Sequence, residues 1–270
     1  MASGLMHFNS PVTSAQMLSY SGSRLAEIGR DMARAEALFL EAQAQATRVG
    51  LELCDIYSGL GIVHRHYGRY SEARSLLQQS LRLVRAEQDH WRECTYLSYL
   101  AMTELEGGDP LAALPYCDRI LLVADKIKGE GSEAAIANAL AALVRYRLQY
   151  PNAAAELAQA IATLQQVDAK RILAYALIGA AAVDLQCDRL ELAVRRAESA
   201  LENAQIINHP GEIALAWAIL VQGLLGLGEI ERAKVQFAAG YPTLDRQNLS
   251  LLAQTAVDRV LNQIQDSNTG

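Results

Sequence analysis

Aromatic residues are scarce, 6% of 270, with two Trp and three Phe. Apolar residues still make up 51%, so a core built from this chain is aliphatic and alanine-rich. That composition favours closely approaching helices over a sheet. Six prolines leave room for long uninterrupted helices. Four cysteines, Cys54, Cys94, Cys117 and Cys187, form no C-x-x-C and have no histidines at metal-ligand spacing. They read as small buried hydrophobes in a reducing compartment. Lysine is nearly missing, since twenty of the 24 basic residues are Arg. No basic block stands out against a net charge of −6, which argues against nucleic-acid contact. The longest apolar run, Ile172 to Val183, is too short to span a bilayer and is bracketed by Arg171 and Asp184. The opening MASGLMHFNS has neither a basic n-region nor an apolar core, so no secretory signal is expected and the expected home is the cytoplasm. No phosphate-binding loop, dinucleotide fingerprint, H-E-x-x-H or nucleophile elbow occurs. The expectation is no enzyme, no cofactor and no metal site.

What the chain has is a repeat. Between Cys54 and Val84, apolar or small residues fall at Tyr57, Leu60, Gly61 and His64, then at Gly68, Tyr70, Ala73, Leu77 and Ser80. The pattern recurs at a constant 40-residue step, with units starting near 94, 134, 174 and 214 and a looser one near 15. The third unit carries Leu97, Leu100, Ala101, Gly108, Leu111, Ala113 and Cys117; the sixth carries Trp217, Leu220, Leu224, Gly228, Ile230, Ala233 and Phe237. Ala73, Ala113, Ala153, Ala193 and Ala233 share one register position.

This order of small and large residues resembles the tetratricopeptide repeat (TPR), two antiparallel helices packed through small side chains. The 40-residue period is similar to that of kinesin light chains and of the sensor domains of bacterial maltose-type activators and ATPase-coupled regulators. The resemblance covers residues 13 to 265. It implies an all-α right-handed solenoid of six helix pairs in a single domain, closed by a C-terminal cap helix at 244–264. Leu249, Leu252, Ala256, Val260 and Ile264 form the apolar stripe of that cap. Residues 1–12 read as a disordered leader, because Asn9-Ser10 and Pro11 break a helix, and 266–270 as a disordered tail. Three positions depart from the pattern. Pro115 predicts a mild bend in its helix. Leu148 replaces the turn glycine of the fourth unit, leaving the turn to Tyr150-Pro151-Asn152. Asp184 falls where a ring or an aliphatic side chain packs.

His64 and His66 diverge by about 200° on a helix, so His64 reads as a core histidine rather than a ligand. Cys54 and Cys94 open equivalent helices and stand either as a redox pair or as coincident small residues. The informative stripe is the second one on each first helix, at positions 2, 5, 9 and 12 of the unit. In the TPR family it lines the concave groove. Here it reads Asp55, Ser58, Ile62, Arg65; Thr95, Ser98, Met102, Leu105; Ala135, Asn138, Ala142, Arg145; Tyr175, Ile178, Ala182, Leu185; and Leu215, Ala218, Gln222, Leu225. The N-terminal half is mixed and the C-terminal half nearly all apolar. Either the cap helix or self-association covers the apolar half, or it is a groove for a partner helix or peptide. The resemblance implies a protein-interaction scaffold or regulatory arm of a bacterial signalling system; the alternative is a ligand-sensing domain of a larger regulator.

Overall fold

The computed structural model describes residues 10–127 and 131–266. Thirteen α-helices and no strand are found among these residues. They fall into two compact units, Met1–Gly129 and Glu130–Gly270, where the sequence suggests a single array. The first unit holds α1 (Pro11–Glu27), α2 (Met32–Arg48), α3 (Cys54–His66), α4 (Tyr70–Ala86), α5 (His90–Gly107) and α6 (Leu114–Ala124). The second holds α7 (Glu133–Arg147), α8 (Ala153–Gln166), α9 (Lys170–Gln186), α10 (Leu190–Ile207), α11 (Pro210–Gly226), α12 (Ile230–Gly240) and α13 (Leu251–Asp266). Consecutive helices pair as α1/α2, α3/α4 and α5/α6, and as α7/α8, α9/α10 and α11/α12. Within each unit the first helix of a pair also packs on both helices of the pair before it. This is the nearest-neighbour stacking of a helical repeat.

The turns explain why the period holds. In a Schellman ending, a left-handed residue lets the next N–H reach back to a carbonyl of the last helical turn. That bond runs from position 16 to position 11 of the repeat: Arg69 to His64, Asp109 to Glu104, Arg189 to Asp184 and Glu229 to Leu224, at 2.9–3.1 Å. The residue before each donor has positive φ: Gly68 at 74°, Gly108 at 93°, Asp188 at 57° and Gly228 at 74°. In the fourth repeat the motif slips by one residue. Gln149 takes φ 57° and Tyr150 bonds to Arg145. Asn152 is then left-handed too, and α8 starts at Ala153.

Small residues set how closely the helices pack. The five register alanines, Ala73, Ala113, Ala153, Ala193 and Ala233, are at most 2% exposed. Two glycines are required by contact rather than by φ. A Cβ on Gly59 would lie 2.0 Å from the buried Phe39 ring, and one on Gly240 would lie 2.2 Å from the Trp217 indole. Phe237 and Tyr241 gather around that indole with centroids 5.9 and 6.2 Å away, and its N–H donates to the Gln236 carbonyl at 3.1 Å.

Several expectations are corrected. Pro11 does not break the first helix but opens it, because its missing N–H falls where none is needed; Ser10 caps it by accepting from the Thr13 N–H at 3.1 Å. Residues 1–9 and 267–270 lie outside the described residues. Pro115 does not bend a helix. The chain makes a 3₁₀ turn over Pro110–Ala113, and α6 restarts with Pro115 in its first turn. The last helix begins at Leu251 rather than 244, after two short 3₁₀ turns. Its buried stripe is Ala253, Val257, Val260 and Ile264, preceded by buried Leu249, while Leu252 is exposed. Val257, Val260 and Ile264 are core positions 4, 7 and 11 of a seventh repeat starting at 254. The last helix therefore continues the 40-residue register and packs on α11. Cys54, Cys94 and Cys117 are buried, but Cys187 is exposed, since it sits beside the turn at Asp188.

Two predictions follow from this packing. Ala153→Leu overfills a helix crossing and costs about 1–3 kcal/mol, read as a lower denaturant midpoint; an unchanged midpoint contradicts the register. Deleting residues 249–270 bares the apolar face of α11, and light scattering should then report dimers or aggregates. A monomer as stable as the parent contradicts a covering role for α13.

Candidate functional site

The second-stripe residues do not behave alike in the two units. In the N-terminal unit they are largely used up internally. Asp55 is exposed but accepts from the Tyr96 hydroxyl at 2.6 Å and lies 3.7 Å from Arg92. Burial, and then the Asp55 charge, push the Tyr96 hydroxyl pKa far above its usual value. Arg92 also donates to Cys54 Sγ at 2.8 Å, yet burial and Asp55 still raise the thiol pKa. Ser58 is buried and donates to the Asp55 carbonyl at 3.2 Å. Arg65 is half-buried, 3.6 Å from Glu106 and over the Tyr99 ring. Met102 and Leu105 are 2% and 3% exposed. The mixed stripe read from the sequence is thus partly core and partly a set of closed ion pairs. His64 is half-buried against Glu36 at 4.0 Å, and burial followed by the Arg69 charge lowers its pKa.

In the C-terminal unit the stripe splits. Asn138 is exposed, and Arg145 pairs with Glu156 at 3.2 Å. Ile178 is 7% exposed and belongs to the core. Tyr175, Leu185, Leu215, Gln222 and Leu225 are half-buried, with Gln222 donating to the Ala218 carbonyl at 3.1 Å. Leu185, Gln222 and Leu225 come together in a cleft of about 450 Å³ where α9 ends, α10 begins and α11 ends. Tyr175 and Leu215 are not part of it; Tyr175 lies ten residues before Leu185 on α9, about 15 Å along the axis.

The sequence reading missed Asp188, Leu190, Gly226 and Gln263, which complete the cleft. Leu190 and Asp188 come from the turn and second helix rather than the first-helix stripe. Gln263 becomes legible only once α13 is recognised as a seventh first helix, where it holds position 10. Asp188 is exposed and makes no ion pair or hydrogen bond through its side chain among the described residues. The cleft is therefore an open hollow of mixed lining, three leucines beside two glutamines and a carboxylate.

Beside this cleft lies the unexpected Asp184. It is fully buried and accepts from the Tyr146 hydroxyl at 2.5 Å, from Arg189 at 2.8 Å and from Arg196 at 2.5 Å. Both guanidinium groups also stack on the Tyr146 ring, at 5.1 and 4.8 Å. The Tyr146 pKa rises, first through burial and then through its bond to Asp184. The cluster ties α7, α9 and α10 together behind Leu185 and the Asp188 turn. Among the described residues no group of three or more His, Cys, Asp or Glu is placed to hold a metal ion, and no helix is long and apolar enough to cross a membrane.

These features define a TPR-like all-α helical-repeat protein. No protein-family model matches the chain, and no curated protein sequence matches it. Solved structures match the fold. A Rap protein complexed with Competence and Sporulation Factor is similar at a TM-score of 0.63 and 11% identity, over 93% of this chain and 86% of that one. A signal-transduction ATPase with numerous domains and a tetratricopeptide repeat sensor, from Pyrococcus horikoshii, is similar at 0.56 and 15%. That match covers 94% of this chain and 39% of the ATPase.

The Asp184 cluster yields a test. Asp184→Asn leaves Arg196 facing Tyr146 without its counter-charge, and breaking a buried pair in this way costs about 3–5 kcal/mol. Chemical denaturation should show this as a lower midpoint. A loss no larger than that of Arg145→Gln, which breaks an exposed pair, would contradict the cluster's role.

Proposed function

We propose that this protein is a non-catalytic, cytoplasmic interaction module, a scaffold or regulatory arm of a bacterial signalling system. Its C-terminal unit captures a short amphipathic segment of a partner protein. The observation that carries this reading is the cleft of Leu185, Leu190, Leu225 and Gln222 with Asp188 at its mouth. A hollow of about 450 Å³ takes one or two large side chains. Three leucines line it beside Gln222, Gln263 and Asp188, and Asp188 has no internal counter-ion among the described residues. The segment that suits it presents a leucine-like anchor followed by a lysine or arginine, with further apolar residues reaching Tyr175 and Leu215. Few anchors dominate such contacts, so the cleft supplies most of the affinity, while Asp188 sets orientation and salt dependence. The fold is compatible with this use: the similar Rap protein is seen complexed with Competence and Sporulation Factor. The cap-helix alternative has less support, because α13 reaches this cleft only through Gln263.

The test begins with a partner identified by pull-down and mass spectrometry. Synthetic peptides covering that partner are titrated against the parent and against Leu185→Ser/Leu225→Ser. One amphipathic peptide should bind the parent and lose at least tenfold in affinity with the double variant, while the far-ultraviolet spectrum stays helical. Asp188→Asn should weaken binding less and flatten its salt dependence. Equal affinity for parent and double variant would overturn the reading.

A further inference from the structure

The N-terminal unit carries a second hollow with a different chemistry. A cleft of about 510 Å³ opens between α4 and α6, with α5 behind it. Leu81, Leu97 and Pro115 give it apolar walls, and Arg82, Arg85 and Arg119 line it with three guanidinium groups. Its volume falls in the range of small-molecule pockets.

The charges do not cancel. Arg85 and Arg119 both bond to the same Glu93 oxygen, Arg85 through Nε at 2.8 Å and Arg119 through Nε and Nη2 at 3.3 and 3.2 Å. Glu93 is 3% exposed. Burial alone would raise its pKa, but bonds from the two arginines hold it below the usual carboxylate range. One carboxylate thus positions two guanidinium groups. Among the described residues Arg85 makes no other hydrogen bond, so its Nη1 and Nη2 stay available. Arg82 is exposed and makes neither an ion pair nor a hydrogen bond among those residues. Three positive charges therefore face one negative charge around an apolar hollow.

The repeat register shows that this is local. The three arginines occupy positions 29 and 32 of one repeat and 26 of the next. In the stacked repeats of the C-terminal unit the same places hold Ala162, Gln165 and Ser199, then Glu202, Gln205 and Ala239. The repeat register itself requires no cation there: Arg85 and Arg119 balance the buried Glu93, and Arg82 makes no ion pair among the described residues. A guanidinium group is the side chain suited to paired recognition of planar anions.

We propose that the cleft between α4 and α6 binds a small organic anion with an apolar body, of the aliphatic or aryl carboxylate class. The body lies on Leu81, Leu97 and Pro115, and the carboxylate takes the free Nη atoms of Arg85 and the guanidinium of Arg82. This site is in the N-terminal unit, so it stands or falls apart from the peptide cleft.

The full chain is titrated with 8-anilinonaphthalene-1-sulfonate, an anionic apolar dye, and the complex is challenged with octanoate or octylamine. Dye fluorescence should rise, octanoate should displace the dye, and octylamine should not. Gln78→Glu/Arg82→Glu alters two exposed side chains of α4 and should raise the dissociation constants of dye and octanoate at least tenfold without moving the melting temperature. Arg232→Glu, a charge change of −2 on α12 against −3 for the α4 variant, and Leu185→Ser/Leu225→Ser should leave both constants unchanged. The proposal is overturned if octanoate fails to displace the dye, if octylamine displaces it equally, if the α4 variant binds as the parent does, or if Arg232→Glu weakens binding to the same extent.

Discussion

The fold depends on close approach of paired helices at one small residue per repeat. Ala73, Ala113, Ala153, Ala193 and Ala233 stand 40 residues apart, each at most 2% exposed. A methyl group there lets the second helix settle against the first, so the core fills with aliphatic side chains from both. The scarcity of aromatic residues follows from the same constraint, because rings need space that such crossings do not leave. Two of the buried rings are given room by a glycine, Phe39 by Gly59 and Trp217 by Gly240. Stability then accumulates between neighbours rather than in one central core. This is why the register can run on into α13 and why terminal elements need a covered face.

Position 11 shows how the repeat tolerates charge inside. Its carbonyl closes the turn in every one of these repeats but the fourth, yet its side chain varies: His64, Glu104, Val144, Asp184 and Leu224. The two acids are buried only because arginines reach them from neighbouring helices. Arg74 of α4 bonds both oxygens of Glu104, and Arg196 of α10 bonds Asp184. An apolar residue at these places would pack as well, as Val144 and Leu224 do. Buried pairs of this kind contribute little net stability over apolar packing, and their loss is costly. What they add is a fixed pairing, because each acid has one set of partners and a shifted helix would strand it.

Much of the fold was legible because the constraint repeats. Spacing alone located the helix pairs, the turn glycines and the buried alanines. The misses have local causes. Spacing alone makes Pro11 a breaker and Pro115 the site of a mild bend, although both sit in a first helical turn, where the lost N–H costs nothing. Asp188 and Gln149 take the left-handed turn conformation without being glycine, so the turns of the fourth and fifth repeats left a weaker signal. The stripe was less legible than the core. Helical geometry identifies which residues share a face, but not whether a neighbour already covers that face. Met102, Leu105 and Ile178 share the stripe with Leu185 and Leu225, and all three are buried.

The same limit explains why the two clefts escaped the sequence. Each combines residues from three or more helices, and each depends on a residue off the first-helix stripe. In the C-terminal unit that residue is Asp188, where two demands meet. The left-handed turn admits Gly, Asn or Asp with little strain, and only Asp among these carries charge. A glycine would serve the turn, as Gly68, Gly108 and Gly228 do. The repeat itself does not require a carboxylate there, although Asp31 and Asp168 take the same left-handed conformation at other turns. The argument for the arginines of the N-terminal unit has the same form. Glu93 needs a cation to be buried, and Arg85 with Arg119 provides two. Arg82 adds a third that no internal carboxylate requires. Asp188 and Arg82 each line a hollow without an ion pair or hydrogen bond through the side chain among the described residues.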